Sequence, residues 1–114
     1  MGIQAFTPFG NTVKLVAATT APAPVQVSST TLGGNQYRVI NLSSDTPCFL
    51  AYAPDSATAT SNCIIPTGDG ANSTEVLCIL PTTDEILTFT PNAYFTAITI
   101  SGTADLYIVP GDGL

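Results

Sequence analysis

Residues 89–114 read FTPNAYFTAITISGTADLYIVPGDGL, and this stretch decides the fold class. It holds two apolar runs, YFTAITI at 94–100 and TADLYIV at 103–109, on either side of Ser101-Gly102. In both runs the side chains alternate with a period of two, which is typical of β-strands because successive side chains point to opposite faces. The pattern predicts two strands joined at Ser101-Gly102, which we expect to form a tight hairpin.

The alternation also predicts the two faces of each strand. Phe95 and Ala97 share one face of the first strand and Tyr94 lies on the other, while Leu106 opposes Tyr107 in the second strand. Neither strand has a wholly polar face, which suits strands covered by a core on one side and by a neighbouring subunit or second surface on the other. The alternative is that Thr and Ala on the outer faces are simply good strand formers.

The rest of the chain repeats this design. Short apolar stretches follow one another about every 8–12 residues, separated by Gly, Pro, Asn and Asp, and no long stretch holds helical spacing. We therefore predict an all-β fold: a single antiparallel β-sandwich, jelly-roll-like, with about 8–9 short strands. The Ala- and Pro-rich residues 21–24 are expected at a sheet edge or a crossover between sheets. The predicted strands are residues 12–18, 24–29, 36–42, 47–53, 62–65, 74–80, 85–90, 94–100 and 103–109.

Length and composition predict one domain that associates with other subunits. A chain of 114 residues closes a single core. With 45% hydrophobic and only 9% charged residues, we expect part of its apolar surface to be covered by another subunit. Residues 12–114 are predicted to form the sandwich, and residues 1–11 an extended N-terminal arm, because Phe6 and Phe9 lie in a Pro- and Gly-punctuated segment. A terminal strand on the chain's own sheet is the alternative for this arm.

The charge balance argues against two classes of partner. The formal net charge is −6, from eight carboxylates and only two cations, Lys14 and Arg38, with no His. Phosphate backbones and anionic membrane surfaces are bound through clusters of Lys and Arg, so we expect neither nucleic acid nor membrane as partner. No apolar run approaches the roughly 20 residues needed to span a bilayer. The first residues lack the features of a signal peptide, so we expect the chain to be used without export.

Groups for catalysis are scarce. A Ser or Cys nucleophile needs a base, and the usual base, His, is missing. Lys14 lies in an alternating strand, where we expect it exposed or ion-paired. Asp84 and Glu85 are neighbours, so on a strand they point to opposite faces and cannot share a glycosidase site; Asp84 is expected to be a turn residue. We predict no enzyme, no catalytic or metal-binding residue, no cofactor and no small-molecule substrate.

The cysteines and the Gly-flanked carboxylates also predict no metal site. Cys48, Cys63 and Cys78 are fifteen residues apart, which matches no zinc-ligand spacing. We expect a reducing compartment and free, mostly buried thiols, with a single disulfide or an intersubunit bridge as the alternative. Asp69 and Asp112 lack the spaced oxygen ligands of a calcium loop and are expected to be turn residues.

The chain contains the phrases FTPFGNTVKLVAA, PAPVQVSS, QYRVINLSSDTPCFLAYAP and LPTTDEILTFTPNAYFTAITISGTADLYIVPGDGL. In style and order these phrases resemble the capsid decoration, or cement, proteins of tailed bacteriophages. The resemblance is strongest at PNAYFTAIT (91–99) and at the terminal VPGDGL (109–114). It assigns no role to the region around residues 55–72 or to the three cysteines.

This resemblance implies a virion protein made in the bacterial host cytoplasm. It implies a jelly-roll or similar sandwich that forms a homotrimer on the outer surface of an icosahedral capsid and stabilises it by clamping subunits of the major capsid protein after expansion. The arm would reach the capsid or a neighbouring subunit. The residues that we expect at the capsid or subunit interface are Phe6, Phe9, Tyr94, Tyr107 and Leu114.

Three alternatives remain open at the level of sequence. One is a small carbohydrate-binding β-sandwich module of a phage attachment device, in which Tyr37, Tyr52 or Tyr107 would contact the glycan. Another is a head-completion or tail-tube component, which would assemble into rings or tubes. A third, a cupin-like enzyme, is disfavoured because a metal site of that kind would lack its usual histidine ligands.

Overall fold

β-branched and aromatic residues are frequent in the strands, as expected for side chains that pack on a pleated sheet. The computed structural model describes residues 7–8, 10–27, 36–67 and 76–112. Strands and helix follow in the order β1 (Thr7–Pro8), β2 (Val13–Ala17), β3 (Val25–Gln26), β4 (Gln36–Asn41), β5 (Cys48–Ala53), α1 (Ser56–Asn62), β6 (Val76–Ile79), β7 (Thr83–Thr88), β8 (Tyr94–Ile98) and β9 (Ala104–Asp112).

These strands form two sheets packed face to face. In the first sheet, β9 pairs with β4 on one edge and with β1 and β2 on the other, and β7 lies outside β4. The second sheet has the order β3-β8-β5-β6. Because β2 pairs with β9, β3 with β8, β4 with β7 and β5 with β6, the strands form a nested antiparallel ribbon wrapped around the core. This is jelly-roll connectivity, and it confirms the predicted all-β, jelly-roll-like sandwich.

The core lies between the sheets and is built by one of the two alternating sets of side chains along the strands. Phe95 and Ala97 of β8 and Leu106 of β9 are buried in one cluster, while Tyr94 and Tyr107 lie on outer faces. The predicted faces of both strands are therefore confirmed.

The predicted hairpin at Ser101-Gly102 is wrong. β8 belongs to the second sheet and β9 to the first, so the residues between them carry the chain across the sandwich. Gly102 takes a positive φ of 74°, which glycine adopts without strain. The Thr99 hydroxyl donates to the Gly102 carbonyl at 2.7 Å and holds the turn.

The predicted strand at 62–65 is also wrong, because a helix occupies the connection before it. The Asp55 side chain accepts a hydrogen bond from the Thr58 backbone N–H at 2.8 Å and caps the first turn of α1. Ala59 is the buried contact of the helix. Residues 63–65 lie in no strand. In the described ranges there is no helix long and apolar enough to cross a membrane.

Residues 18–24 form a crossover from the first sheet to the second, as predicted. Ala18 makes a bridge to Ile98, and its carbonyl accepts from the Thr99 N–H at 2.9 Å. The Pro22 carbonyl accepts from the hydroxyl of Thr96 at 2.8 Å. The crossover therefore runs along the edge of β8 that also pairs with β3.

The predicted N-terminal arm is only partly described. Thr7 and Pro8 pair with Asp112 and Gly111 of β9. Residues 1–6 and 9 lie outside the described residues, so the arm over residues 1–11 stays a prediction.

Candidate interaction face of the first sheet

The outer sides of the two sheets differ in how they are covered. Over the second sheet, α1 packs on β5 and β8, and the crossover lies beside it. Small residues on this side are consequently buried: Ala51 and Thr96 are fully buried and Ala53 nearly so. The predicted covering of the outer face of β8 thus comes, over this part, from the same chain.

The outer side of the first sheet is much more accessible. One cross-strand row runs from Lys14 through Tyr107 and Ile40 to Asp84, each residue being the register partner of the next. We call this side the open face. Its members are Lys14, Val16, Arg38, Ile40, Leu42, Asp84, Ile86, Asp105, Tyr107 and Val109.

Large apolar side chains on the open face reach solvent at three places. Val16 is 44% exposed, Ile86 53% and Leu42 62%. The residues that lie between these three positions are half-buried: Ile40, Tyr107 and Val109. An apolar strip of this kind, held on a hydrogen-bonded sheet, is typical of a contact surface. The apolar side chains reach this side because their positions alternate, along β2, β4, β7 and β9, with the positions buried in the core.

Two ion pairs interrupt the apolar surface, because Asp105 lies between Val16 and Leu42 across the ladder and Arg38 lies between Ile86 and Val109. The Arg38 guanidinium donates to Oδ2 of Asp84 from Nε at 2.8 Å and from Nη2 at 2.5 Å. At the other edge, Lys14 Nζ lies 3.9 Å from Oδ2 of Asp105 and 5.9 Å from the centre of the Tyr107 ring. All four charged side chains are about half exposed, so each pair contributes little to folding stability. Their main effect is to neutralise the face.

A groove of about 340 Å³ lies at one end of the open face, between β4 and β7. Arg38, Leu42 and Asp84 line its wall, and the Pro81-Thr82 turn closes it. Thr82 holds a positive φ of 57°, which is strained for a β-branched residue. Within the described residues, the lining of the groove includes no aromatic side chain.

Of the residues expected at the interface, the two that the structure describes lie on different sheets. Tyr107 lies on the open face, whereas Tyr94 lies on the outer side of the second sheet, so one flat contact cannot include both. Phe6, Phe9 and Leu114 lie outside the described residues. Their predicted role at an interface stays a prediction.

The tyrosines expected to contact a glycan differ in access. Tyr37 is fully buried, so it cannot stack on a sugar in the folded protein. Tyr52 is half-buried, lies edge-on to Phe89 at 4.8 Å between ring centres, and lines a pocket of only about 90 Å³. Only Tyr107 combines a partly exposed ring with a wide sheet face around it.

The carboxylates lie largely as alternation predicted. Asp84 is the register partner of Ile40 and Glu85 that of Val39, so the two acids point to opposite sides, as expected. Asp84 is not a turn residue, because β7 begins one residue earlier and Arg38 across the ladder pairs with it. Lys14 is ion-paired, as expected. Within residues 7–8, 10–27, 36–67 and 76–112, no group of His, Cys, Asp or Glu could hold a metal ion.

All three cysteines are free thiols, as expected. Cys48 and Cys63 are buried and Cys78 is exposed. Burial, with a smaller effect from the negative charge that Cys78 and Cys63 could carry, raises the pKa of Cys48 to about 12. Burial also raises the pKa of Cys63, against a hydrogen bond with Thr96 that lowers it. Neither buried thiol is therefore a ready nucleophile, because the thiolate is the reactive form.

Sequence reasoning missed both the ion pairs and the asymmetry of the two outer sides. Pairing of Arg38 with Asp84 depends on the register of β4 against β7, which lie 46 positions apart along the chain at this contact. The cover over the second sheet depends on α1, for which Asp55 followed by an Ala-rich stretch was the available signal.

Comparisons with protein-family models, with curated proteins and with solved structures gave no significant match.

Proposed function

We propose that this chain is a structural virion protein that decorates an icosahedral phage capsid and stabilises it. It binds as a homotrimer across neighbouring subunits of the major capsid protein. The observation that carries the proposal is the open face, a sheet surface with exposed apolar side chains and paired charges. The open face supports association with other protein subunits, and the resemblance of the chain to decoration proteins supplies the capsid as the partner of the assembled trimer.

The physical mechanism is linkage. A protein that binds the assembled shell and not its separated subunits stabilises the shell by mass action, by about 2.7 kcal/mol per site at a free concentration of 100 times Kd. A trimer adds avidity, because its second and third contacts form without further loss of translational freedom. Neither effect needs a catalytic group.

Several features of the chain support a binding role. The nucleophiles lack a histidine base, and burial raises the pKa of two of the three thiols. The carbohydrate-binding alternative has less support, because Tyr37 is buried and the described lining of the large groove contains no aromatic ring. Protein binding is the role that the open face serves best.

Co-sedimentation with phage heads tests the proposal. The purified protein is mixed with expanded and with unexpanded heads of the phage that encodes it, and pelleted protein is measured against concentration. We expect saturable binding to expanded heads and a higher temperature of head disruption. An unrelated acidic protein of similar mass serves as control for trapping. Equal recovery of both proteins in the pellet at every concentration would refute the proposal.

A further inference from the structure

We infer that the open face is the surface through which one copy of this chain contacts another. The inference rests on the homo-oligomer of the proposed function and assigns its contact. The distribution of charge is the first argument. The chain has two cations against eight carboxylates, and both cations, Lys14 and Arg38, lie on the open face beside Asp105 and Asp84. The described members of the face thus carry two cations and two carboxylates, so the face is neutral, while the chain as a whole carries a net charge of −6.

This charge distribution indicates which protein binds the open face. Two copies with a charge of −6 each repel one another wherever their acidic surfaces meet. Since charges act over a Debye length of about 8 Å at physiological ionic strength, repulsion is weakest where neutral surfaces meet. A basic partner would instead be attracted to exposed carboxylates outside the face, such as those of Asp45, Asp55 and Glu85. The neutral face therefore favours a second copy of the chain.

The two edges of the face differ in their residues, which also suits the head-to-tail contacts of a ring such as a trimer. The row across the sheet has the cation of Lys14 at the β2 edge and the carboxylate of Asp84 at the β7 edge, with Tyr107 and Ile40 between them. Contacts in a cyclic trimer are head-to-tail, so two different ends of a surface meet. Both hydrogen bonds from Arg38 go to Oδ2 of Asp84, which leaves Oδ1 to accept from the Lys14 ammonium of the next copy.

Apolar residues at both ends supply the driving force. Val16 on β2 and Ile86 on β7 flank the row and are 44% and 53% exposed. Removing them from water on association is favourable, at about 25 cal/mol per Å² of apolar surface. A charge placed at either position would lose its hydration in the contact, which opposes association.

A matched pair of isoleucine variants tests the inference. Ile86→Glu places a carboxylate on the open face, and Ile100→Glu makes the same change at a residue that is 68% exposed outside it. Mass is measured by light scattering over a dilution series. We expect Ile100→Glu to associate like the wild type, and Ile86→Glu to dissociate at least about tenfold more readily. Val16→Glu, at the opposite edge, should show the same loss.

Folding is checked in the same samples by thermal unfolding, since all three positions are exposed and should tolerate the change. Association of Ile86→Glu and Val16→Glu equal to that of the wild type would overturn the inference, as would a wild type that stays monomeric.

Co-sedimentation with expanded heads separates the two proposals. Binding to heads with unchanged association of the face variants would overturn only this inference. Loss of association in those variants, with no binding of the wild type to heads, would overturn only the proposed function.

Discussion

Tyr37 joins the two sheets at their centre. Its buried ring lies edge-on to Phe95 of the other sheet, with 4.9 Å between ring centres. Its hydroxyl donates to the Thr90 carbonyl and accepts from the Ala93 N–H at 3.1 Å, which fixes the turn before β8. Burial raises the pKa of the hydroxyl, and the backbone hydrogen bonds oppose this rise. The side chain therefore serves the fold and not a ligand.

Tyr37→Phe tests that role. The ring stays, but the buried Ala93 N–H loses its acceptor, so we expect the free energy of unfolding to fall by about 1–3 kcal/mol. Urea unfolding with an unchanged m-value is the measurement. Tyr107→Phe, on the half-exposed open face, is the control and should change stability by less than about 0.5 kcal/mol. Equal effects of the two substitutions would contradict this account of Tyr37.

At the scale of elements, α1 decides which outer side stays accessible, and Asp55 holds its first turn. The Asp55 carboxylate accepts from the backbone N–H and from the hydroxyl of Thr58, which lowers its pKa below the ordinary value of 3.8. A carboxyl with a lowered folded-state pKa stabilises the fold above its unfolded-state pKa. That contribution is lost as the pH falls through the folded-state value.

The lowered pKa of Asp55 predicts how the effect of Asp55→Ala on stability changes with pH. We expect a lower Tm than that of the wild type at neutral pH, and a difference that shrinks once the pH falls below 3.8. Asp55→Asn is the matched control, because its amide oxygen still caps the helix but does not titrate. A Tm difference between wild type and Asp55→Ala that is the same at pH 7 and well below pH 3.8 would contradict the role of the ionised cap.

Sequence reasoning predicted the strands and their faces more reliably than it predicted which strands pair with one another. Alternation predicted that Phe95 and Tyr94 lie on opposite faces and that Leu106 and Tyr107 do so too, because side-chain direction is a local property of a strand. It failed at Ser101-Gly102, since a turn does not reveal whether the strands on either side share a sheet. Helix α1, with seven residues, is too short for its spacing to stand out.

For the whole molecule, the jelly roll pairs strands that are distant in sequence, and the candidate face arises from that pairing. β2 and β9 stand near opposite ends of the chain, yet their ladder brings Lys14 beside Tyr107 and Val16 beside Asp105. Composition predicted an excess of apolar surface but could not locate it. Only the sheet order places both cations of the chain on the same side.

Salt should strengthen self-association, because the long-range repulsion between copies of charge −6 is screened first. Raising NaCl from about 0.01 to about 1 M shortens the Debye length from about 30 to 3 Å, while apolar contact and partly buried ion pairs are affected less. We expect the dissociation constant to fall, as measured by sedimentation at both salt concentrations. A dissociation constant that rises with salt would mean that exposed charge pairs hold the copies together.

The most direct test of the central claim is the mass of the wild-type protein in solution, measured by light scattering across a dilution series. The chain has a mass of 11.7 kDa. If three copies are joined through the open face, we expect a species of three times that mass. It should dissociate on dilution, and no larger ring should accumulate. A clean monomer at every concentration would contradict the claim.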